Sequence, residues 1–91
     1  MKEKLWFVYI IKCKDKSFYT GITDNLMTRM INHNRGVASK YTRTRRPCVL
    51  VYEEKEPTRS IALKRESVIK HLSHKEKEIL IKSDKNGKSK D

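Results

Sequence analysis

Leu5-Trp6-Phe7-Val8-Tyr9-Ile10-Ile11-Lys12-Cys13 is a nearly unbroken run of apolar and β-branched residues. A strand with one face in water alternates apolar with polar residues. This one does not, so it reads as a central strand covered on both faces. Downstream, Lys14-Asp15-Lys16-Ser17 is a short polar connection and Phe18-Tyr19-Thr20 resumes β-type residues before Gly21, which predicts a hairpin and two antiparallel strands. Pro47 then precedes a second dense β run, Cys48-Val49-Leu50-Val51-Tyr52, the expected third strand.

Helical signals fill the intervals. Thr23 or Asp24 is placed to cap a helix whose apolar stripe is Leu26, Met27, Met30 and Ile31, ending near Asn34-Arg35-Gly36, where glycine permits a left-handed exit. The segment from Ala38 to Thr42 reads as a one-turn helix. Beyond Pro57, the residues Ile61, Ala62, Arg65, Val68, Ile69 and Leu72 recur at helical spacing, and Ser73 with Glu76 forms a capping box for a last helix. The fold class is therefore α+β: a single small domain over residues 4–82 with a central three-stranded antiparallel sheet flanked by helices. The polar stretch 83–91 has no apolar anchor and is expected to be a frayed tail.

A chain of 91 residues supports one core and not two. No apolar run reaches the length of about 20 residues that a membrane helix needs, and the start resembles no export signal. Cys13 and Cys48 match no metal knuckle or redox motif and read as reduced, packed thiols, which suits a cytoplasmic setting. With 22 Lys+Arg against 11 Asp+Glu the net charge is +11, which favours a polyphosphate partner, nucleic acid; an anionic membrane or a solvated lysine-rich surface would look similar by charge alone, and the distribution says more. Between Asp24 and Leu50 the cations Arg29, Arg35, Lys40, Arg43, Arg45 and Arg46 face a single acid. Five of the six are arginine, the bidentate phosphate binder.

Strand alternation places Tyr9 on one face with Phe7 and Ile11, and Tyr19 in the neighbouring strand, so the two phenols can converge beside the first helix. On their own they read as ordinary strand tyrosines. Arg29 and His33 stand four apart, only about 40° apart around the helix, and as a bare pair they read as solvent-facing. Glu66 is set among Ala62, Leu63 and Ile69, at the edge of the stripe that faces the sheet. A carboxylate there either pairs with Arg65 or Lys70 or serves a hard divalent cation such as Mg²⁺.

Taken in order, Val8-Tyr9-Ile10, Tyr19-Thr20-Gly21, Asn25-Leu26 leading to Arg29 and His33, and then Glu66, resemble the GIY-YIG nuclease family, and within it the small stand-alone UPF0213 group. The likeness runs from about Trp6 to about Leu80. Ser39-Lys40-Tyr41-Thr42 and Ala62-Leu63-Lys64-Arg65-Glu66 fit that group's pattern as well. The resemblance implies hydrolysis of a nucleic-acid phosphodiester, DNA favoured, with one Mg²⁺ (or Mn²⁺) and no organic cofactor. It makes Tyr9 and Tyr19 the motif tyrosines, Arg29 the catalytic arginine and Glu66 the metal ligand. His33 and Tyr41 fall at further active-site positions, and Arg35, Lys40, Arg43, Arg45 and Arg46 would bind the nucleic acid. Either tyrosine can be the base. The sequence departs from the pattern at Phe7, Val8 and Thr20, and Asn86, in the polar tail, takes no role. A basic module that binds nucleic acid without cutting it is the alternative, and a ribosome- or protein-binding domain a third.

Overall fold

The computed structural model describes residues 4–89, with side chains through Ser83. The chain runs β1 (Trp6–Lys12), β2 (Phe18–Thr23), α1 (Leu26–Arg35), α2 (Lys40–Arg43), β3 (Val49–Glu56), α3 (Arg59–Lys70) and α4 (His74–Ser89). The three strands form one sheet in the order β2-β1-β3, and β1 pairs antiparallel with both neighbours. Seven residues of the opening run, Trp6–Lys12, thus form the central strand, as its composition predicts. Asp15 ties the hairpin turn by accepting from the Ser17 backbone N–H at 3.0 Å and from its hydroxyl at 2.6 Å.

Each face of β1 has its own cover. Val8 and Ile10 pack with Tyr52, Ala62 and Ile69 beneath α3, with Leu80 and Ile81 of α4 alongside. Tyr9, Ile11 and Cys13 pack with Cys48, Tyr19, Leu26 and Met30 on the side of α1. Arg65, expected in the apolar stripe of α3, instead donates from Nε to Glu54 Oε1 at 2.6 Å, and Glu54 Oε2 accepts from the Tyr52 hydroxyl. Burial and that carboxylate push the Tyr52 phenol up to about 12. The trio pins α3 to β3.

The helix ends follow local chemistry. Asn25, rather than Thr23 or Asp24, caps α1 by accepting from Thr28 N–H at 3.0 Å, and Thr23 Oγ1 holds Asn25 by accepting from its N–H. Gly36 leaves α1 with φ of 82°, the left-handed exit expected of it. A Cβ there would also lie 2.9 Å from the Arg46 guanidinium. The capping box forms reciprocally, with Ser73 N–H to Glu76 Oε1 at 2.8 Å and Glu76 N–H to Ser73 Oγ at 3.1 Å. The helix so started continues past Lys82 to Ser89, where the sequence reading places a frayed tail. The side chain of Asn86 lies outside the described residues.

One expectation is corrected outright. The buried face of α1 is not Leu26, Met27, Met30 and Ile31: Met27 is 76% and Ile31 53% exposed, while His33 has no exposed surface. The helix turns Leu26, Met30 and His33 inward because His33 finds polar partners there, which an apolar count cannot register. Among the described residues no helix is long and apolar enough to cross a membrane.

Candidate active site

The site begins with a glycine. Tyr9 faces Gly21 across the β1–β2 ladder, and a Cβ on Gly21 would fall 2.6 Å from the Tyr9 hydroxyl oxygen. Only a residue without a side chain lets the Tyr9 ring cross this strand and carry its phenol toward α1. The phenol reaches His33 Nε2 at 2.8 Å. On the far side of the imidazole, Nδ1 lies 2.8 Å from Thr42 Oγ1. His33 and Thr42 have no exposed surface and Tyr9 is 1% exposed, so water can meet this chain of hydrogen bonds only at its tyrosine end.

Aromatic rings enclose the imidazole. Tyr9 meets it edge-on with centroids 5.8 Å apart and Tyr19 does so at 5.3 Å. Tyr19 in turn stacks on Tyr41 at 5.9 Å. The Arg45 guanidinium lies over the Tyr41 ring, 3.9 Å from its centroid. Arg45 is itself held by Asp15 through Nε to Oδ2 at 3.0 Å, and it donates from Nη1 to the Tyr41 carbonyl at 2.8 Å. These contacts commit Arg45 to the framework, where it ties the hairpin turn to α2. Its side chain nonetheless remains 35% exposed. Its Ser17 and Arg45 hydrogen bonds hold the Asp15 carboxyl below the usual carboxylate range.

Electrostatics tie the two remaining residues to the phenol. Burial raises the Tyr9 pKa far above that of an ordinary phenol. The Tyr19 hydroxyl and the Glu66 carboxylate raise it further, and the Arg29 guanidinium opposes them. The imidazole of His33 is held below its usual value, first by burial and then by Arg29. The charge of Arg29 on α1 therefore bears on both Tyr9 and His33, and that of Glu66 on α3 bears on Tyr9. The Glu66 side chain is 16% exposed and pairs through Oε2 with Lys70 Nζ at 3.4 Å, so it makes one of the two ion pairs its sequence neighbourhood allows.

Tyr9, Tyr19, Arg29, His33, Tyr41 and Glu66 thus belong to one neighbourhood. The remaining candidate cations lie on the last turn of α1 and on the segment that carries α2. Arg43 and Arg46 line a cleft with Asn34, Thr44 and Pro47, and Arg43 with Lys40 lines a second cleft bounded by Gly36 and Ser39. Arg46 donates from Nε to the Arg43 carbonyl at 2.8 Å. Arg35 sits exposed in the last turn of α1. Sequence reasoning missed Thr42, Asp15 and the framework role of Arg45. It also missed Asn34, whose amide grips both backbone groups of Cys48 at 2.8 and 2.9 Å. The signal for Thr42 was present in Ser39, whose hydroxyl caps α2 by accepting from Tyr41 and Thr42 N–H. In the one-turn helix so capped, Thr42 alone is buried, while Lys40, Tyr41 and Arg43 are exposed.

Comparison with known proteins identifies the family. Residues 5–79 match the GIY-YIG catalytic domain. A UPF0213 protein of Staphylococcus haemolyticus is 52% identical over 71 residues, covering 78% of this chain and 87% of the relative. A UPF0213 protein of Desulfotalea psychrophila is 48% identical over 83 residues, covering 90% and 76%. The solution structure of a UPF0213 protein from Bacillus halodurans superposes with a TM-score of 0.56 at 41% identity, covering 86% of this chain and 83% of that one. A solution structure from E. faecalis gives 0.61 at 38% identity, covering 90% and 88%. With three quarters or more of each of these relatives spanned and the catalytic-domain match running through β1, α1 and α3, the chain belongs to the GIY-YIG family, in its UPF0213 group.

Proposed function

We propose that this protein is a metal-dependent nuclease that hydrolyses phosphodiester bonds in nucleic acid, DNA in particular, by a tyrosine-assisted one-metal reaction. The observation that carries the reading is the buried Tyr9–His33 hydrogen bond, packed against Tyr19, in a place where the charges of Arg29 and Glu66 bear on Tyr9.

The donor set fits a lightly held, hydrated ion. Among the described residues no group of three or more His, Cys, Asp or Glu side chains is placed to hold a metal, which argues against a zinc-type cage. One carboxylate beside a substrate phosphate is the arrangement Mg²⁺ accepts, because that ion keeps most of its waters. Glu66 would hold it, and when bound it supplies a Lewis acid for the phosphoryl oxygens.

The protein's own groups then have distinct tasks. Arg29 fixes positive charge where negative charge grows on the phosphate in the transition state. Tyr9, so hard to ionise, does not store a phenolate: it takes a proton from the attacking water as its own proton passes to His33 Nε2. The water oxygen bonds to phosphorus, the bond to the leaving oxygen breaks, and His33 becomes imidazolium. His33 is ready for this at neutral pH because burial and Arg29 keep it unprotonated. Tyr19 packs on the same imidazole from the more exposed side. The clefts of Arg43, Arg46 and Lys40 would take the nucleic-acid backbone.

The test is cleavage of labelled single-stranded, duplex and branched DNA, and of RNA, with and without Mg²⁺. Arg29→Ala and Glu66→Ala should each lower the rate by about a hundred- to a thousandfold, the effect of removing a transition-state charge partner. Rates unaltered in both variants would sink the assignment. Binding without cleavage, unaffected by Glu66→Ala and weakened by loss of Arg43 and Arg46, would instead establish the non-catalytic module.

A further inference from the structure

Three hydroxyl or imidazole groups share the buried chain Tyr9–His33–Thr42, and with His33 neutral the order of their protons is open to only two assignments. In the first, His33 carries its proton on Nδ1 and donates it to Thr42 Oγ1. Thr42 then sends its own hydroxyl proton to the Ser39 carbonyl, 3.4 Å away, and Tyr9 donates to the bare Nε2. In the second, Thr42 donates to Nδ1, Nε2–H donates to the Tyr9 oxygen, and the Tyr9 hydroxyl proton points elsewhere. Tyr9 is 1% exposed, and among the described residues His33 is its one hydroxyl partner. The second assignment therefore strands a buried donor, at a cost of about 1–3 kcal/mol, whereas the first satisfies every donor.

We propose that Thr42 is a positioning residue that sets the tautomer of His33: its hydroxyl, anchored on the Ser39 carbonyl, accepts from Nδ1–H and leaves Nε2 bare toward Tyr9. The inference deepens the proposed nuclease chemistry and rests on it only for the kinetic consequence. A proton can leave Tyr9 for His33 in this tautomer and in no other. Thr42 touches neither substrate nor metal and acts through the imidazole alone.

The local structure shows how such a residue is held. Ser39 caps α2, its hydroxyl 3.0 Å from Tyr41 N and 3.5 Å from Thr42 N. Its carbonyl accepts the Arg43 N–H at 3.1 Å, which leaves a second lone pair for the Thr42 hydroxyl. Within this turn Tyr41 points outward to the stack with Tyr19 and Arg45, and Thr42 points inward with no exposed surface. The other groups that face His33 are Tyr9 from β1, Tyr19 from β2 and Arg29 from its own helix. None of these accepts a proton from Nδ1, so the hydroxyl of Thr42 is the acceptor that lets Nδ1 carry it while Tyr9 donates to Nε2.

The experiment pairs a spectroscopic readout with a kinetic one on the full chain. Long-range ¹H–¹⁵N correlation at neutral pH should show His33 with a pyrrole-type Nδ1 and a pyridine-type Nε2. Thr42→Val keeps the shape and removes the hydroxyl, and it should move His33 toward the other tautomer while lowering kcat by about ten- to a hundredfold, with KM little changed. Thr42→Ser should restore both. A wild-type His33 protonated on Nε2, or a Thr42→Val protein with unaltered tautomer, overturns the proposal. If Thr42→Val does not fold, the wild-type and Thr42→Ser spectra decide it alone, since Nε2–H in either is fatal. Should the wild type cleave nothing yet show the expected tautomer and its shift, the nuclease reading fails while the assignment to Thr42 stands.

Discussion

Val8 and Ile10 meet Tyr52, Ala62 and Ile69 on one side of β1, whereas Tyr9, between them in sequence, crosses Gly21 on the other side and gives its hydroxyl to His33. The two faces come from one strand and are equally dry, yet they are held together differently. The α3 face is stabilised by area removed from water, which tolerates reshaping at a graded cost. The α1 face contains groups that are costly to bury and become tolerable only when every donor and acceptor is matched. A buried polar chain of this kind is a poor source of stability and a good means of fixing geometry. Glu66 joins the two: it stands on the helix that covers the apolar face, and its charge is felt at Tyr9.

If this contrast is right, adjacent residues of β1 should fail in different ways. Ile10→Ala should have the largest effect on folding, about 2–5 kcal/mol by chemical denaturation, with cleavage per folded molecule nearly intact. Tyr9→Phe conserves volume and strands the acceptor Nε2, so it should cost less, about 1–3 kcal/mol, and abolish cleavage. An active Tyr9→Phe protein, or an inactive but folded Ile10→Ala protein, would break the division between the faces.

The apolar face was the legible one. The double-covered β1, the hairpin, the Gly36 exit and the Ser73–Glu76 box all depend on residues close in sequence, and local rules find them. The resemblance supplied Tyr9, Tyr19, Arg29, His33 and Glu66 as names without an arrangement. What escaped was decided by contacts at long range. His33 counts as polar in any periodicity, and its burial is licensed by Tyr9, 24 residues away, and by Thr42 across the chain reversal at Gly36. Met27 and Ile31 were credited to the buried stripe in its place for the same reason. The framework contact of Arg45 escaped because Asp15, its partner, lies 30 residues upstream in the hairpin turn.

The contrast also has a local exception. Thr20 pairs with Ile10 and so lies on the apolar face, where its Oγ1 is the one buried side-chain polar atom among the described residues without a hydrogen-bond partner. On the face that depends on area, a hydroxyl is a liability. Thr20→Val should raise stability by about 1 kcal/mol and leave cleavage unaffected. Loss of stability would mean that the apolar face, too, depends on a polar contact.

The smallest effect concerns pH and belongs to the polar face. His33 is neutral in the folded protein because burial and Arg29 hold its pKa below the ordinary 6.5, while in the unfolded chain it titrates near that value. Below pH 6.5 the unfolded state therefore binds the extra proton first, and the equilibrium shifts toward it. The contribution is fully present above the unfolded pKa and is lost as pH falls toward the depressed folded value. Melting temperature should accordingly drop between pH 7.5 and pH 5, and His33→Gln, though less stable at pH 7.5, should show a shallower drop over the same range. Asp15, whose carboxyl is also held low, loses its share in a more acid window, since its ordinary value is 3.8. Equal slopes for wild type and His33→Gln would show that the imidazole is not held neutral, and with it would go the readiness of Nε2 to take the proton of Tyr9.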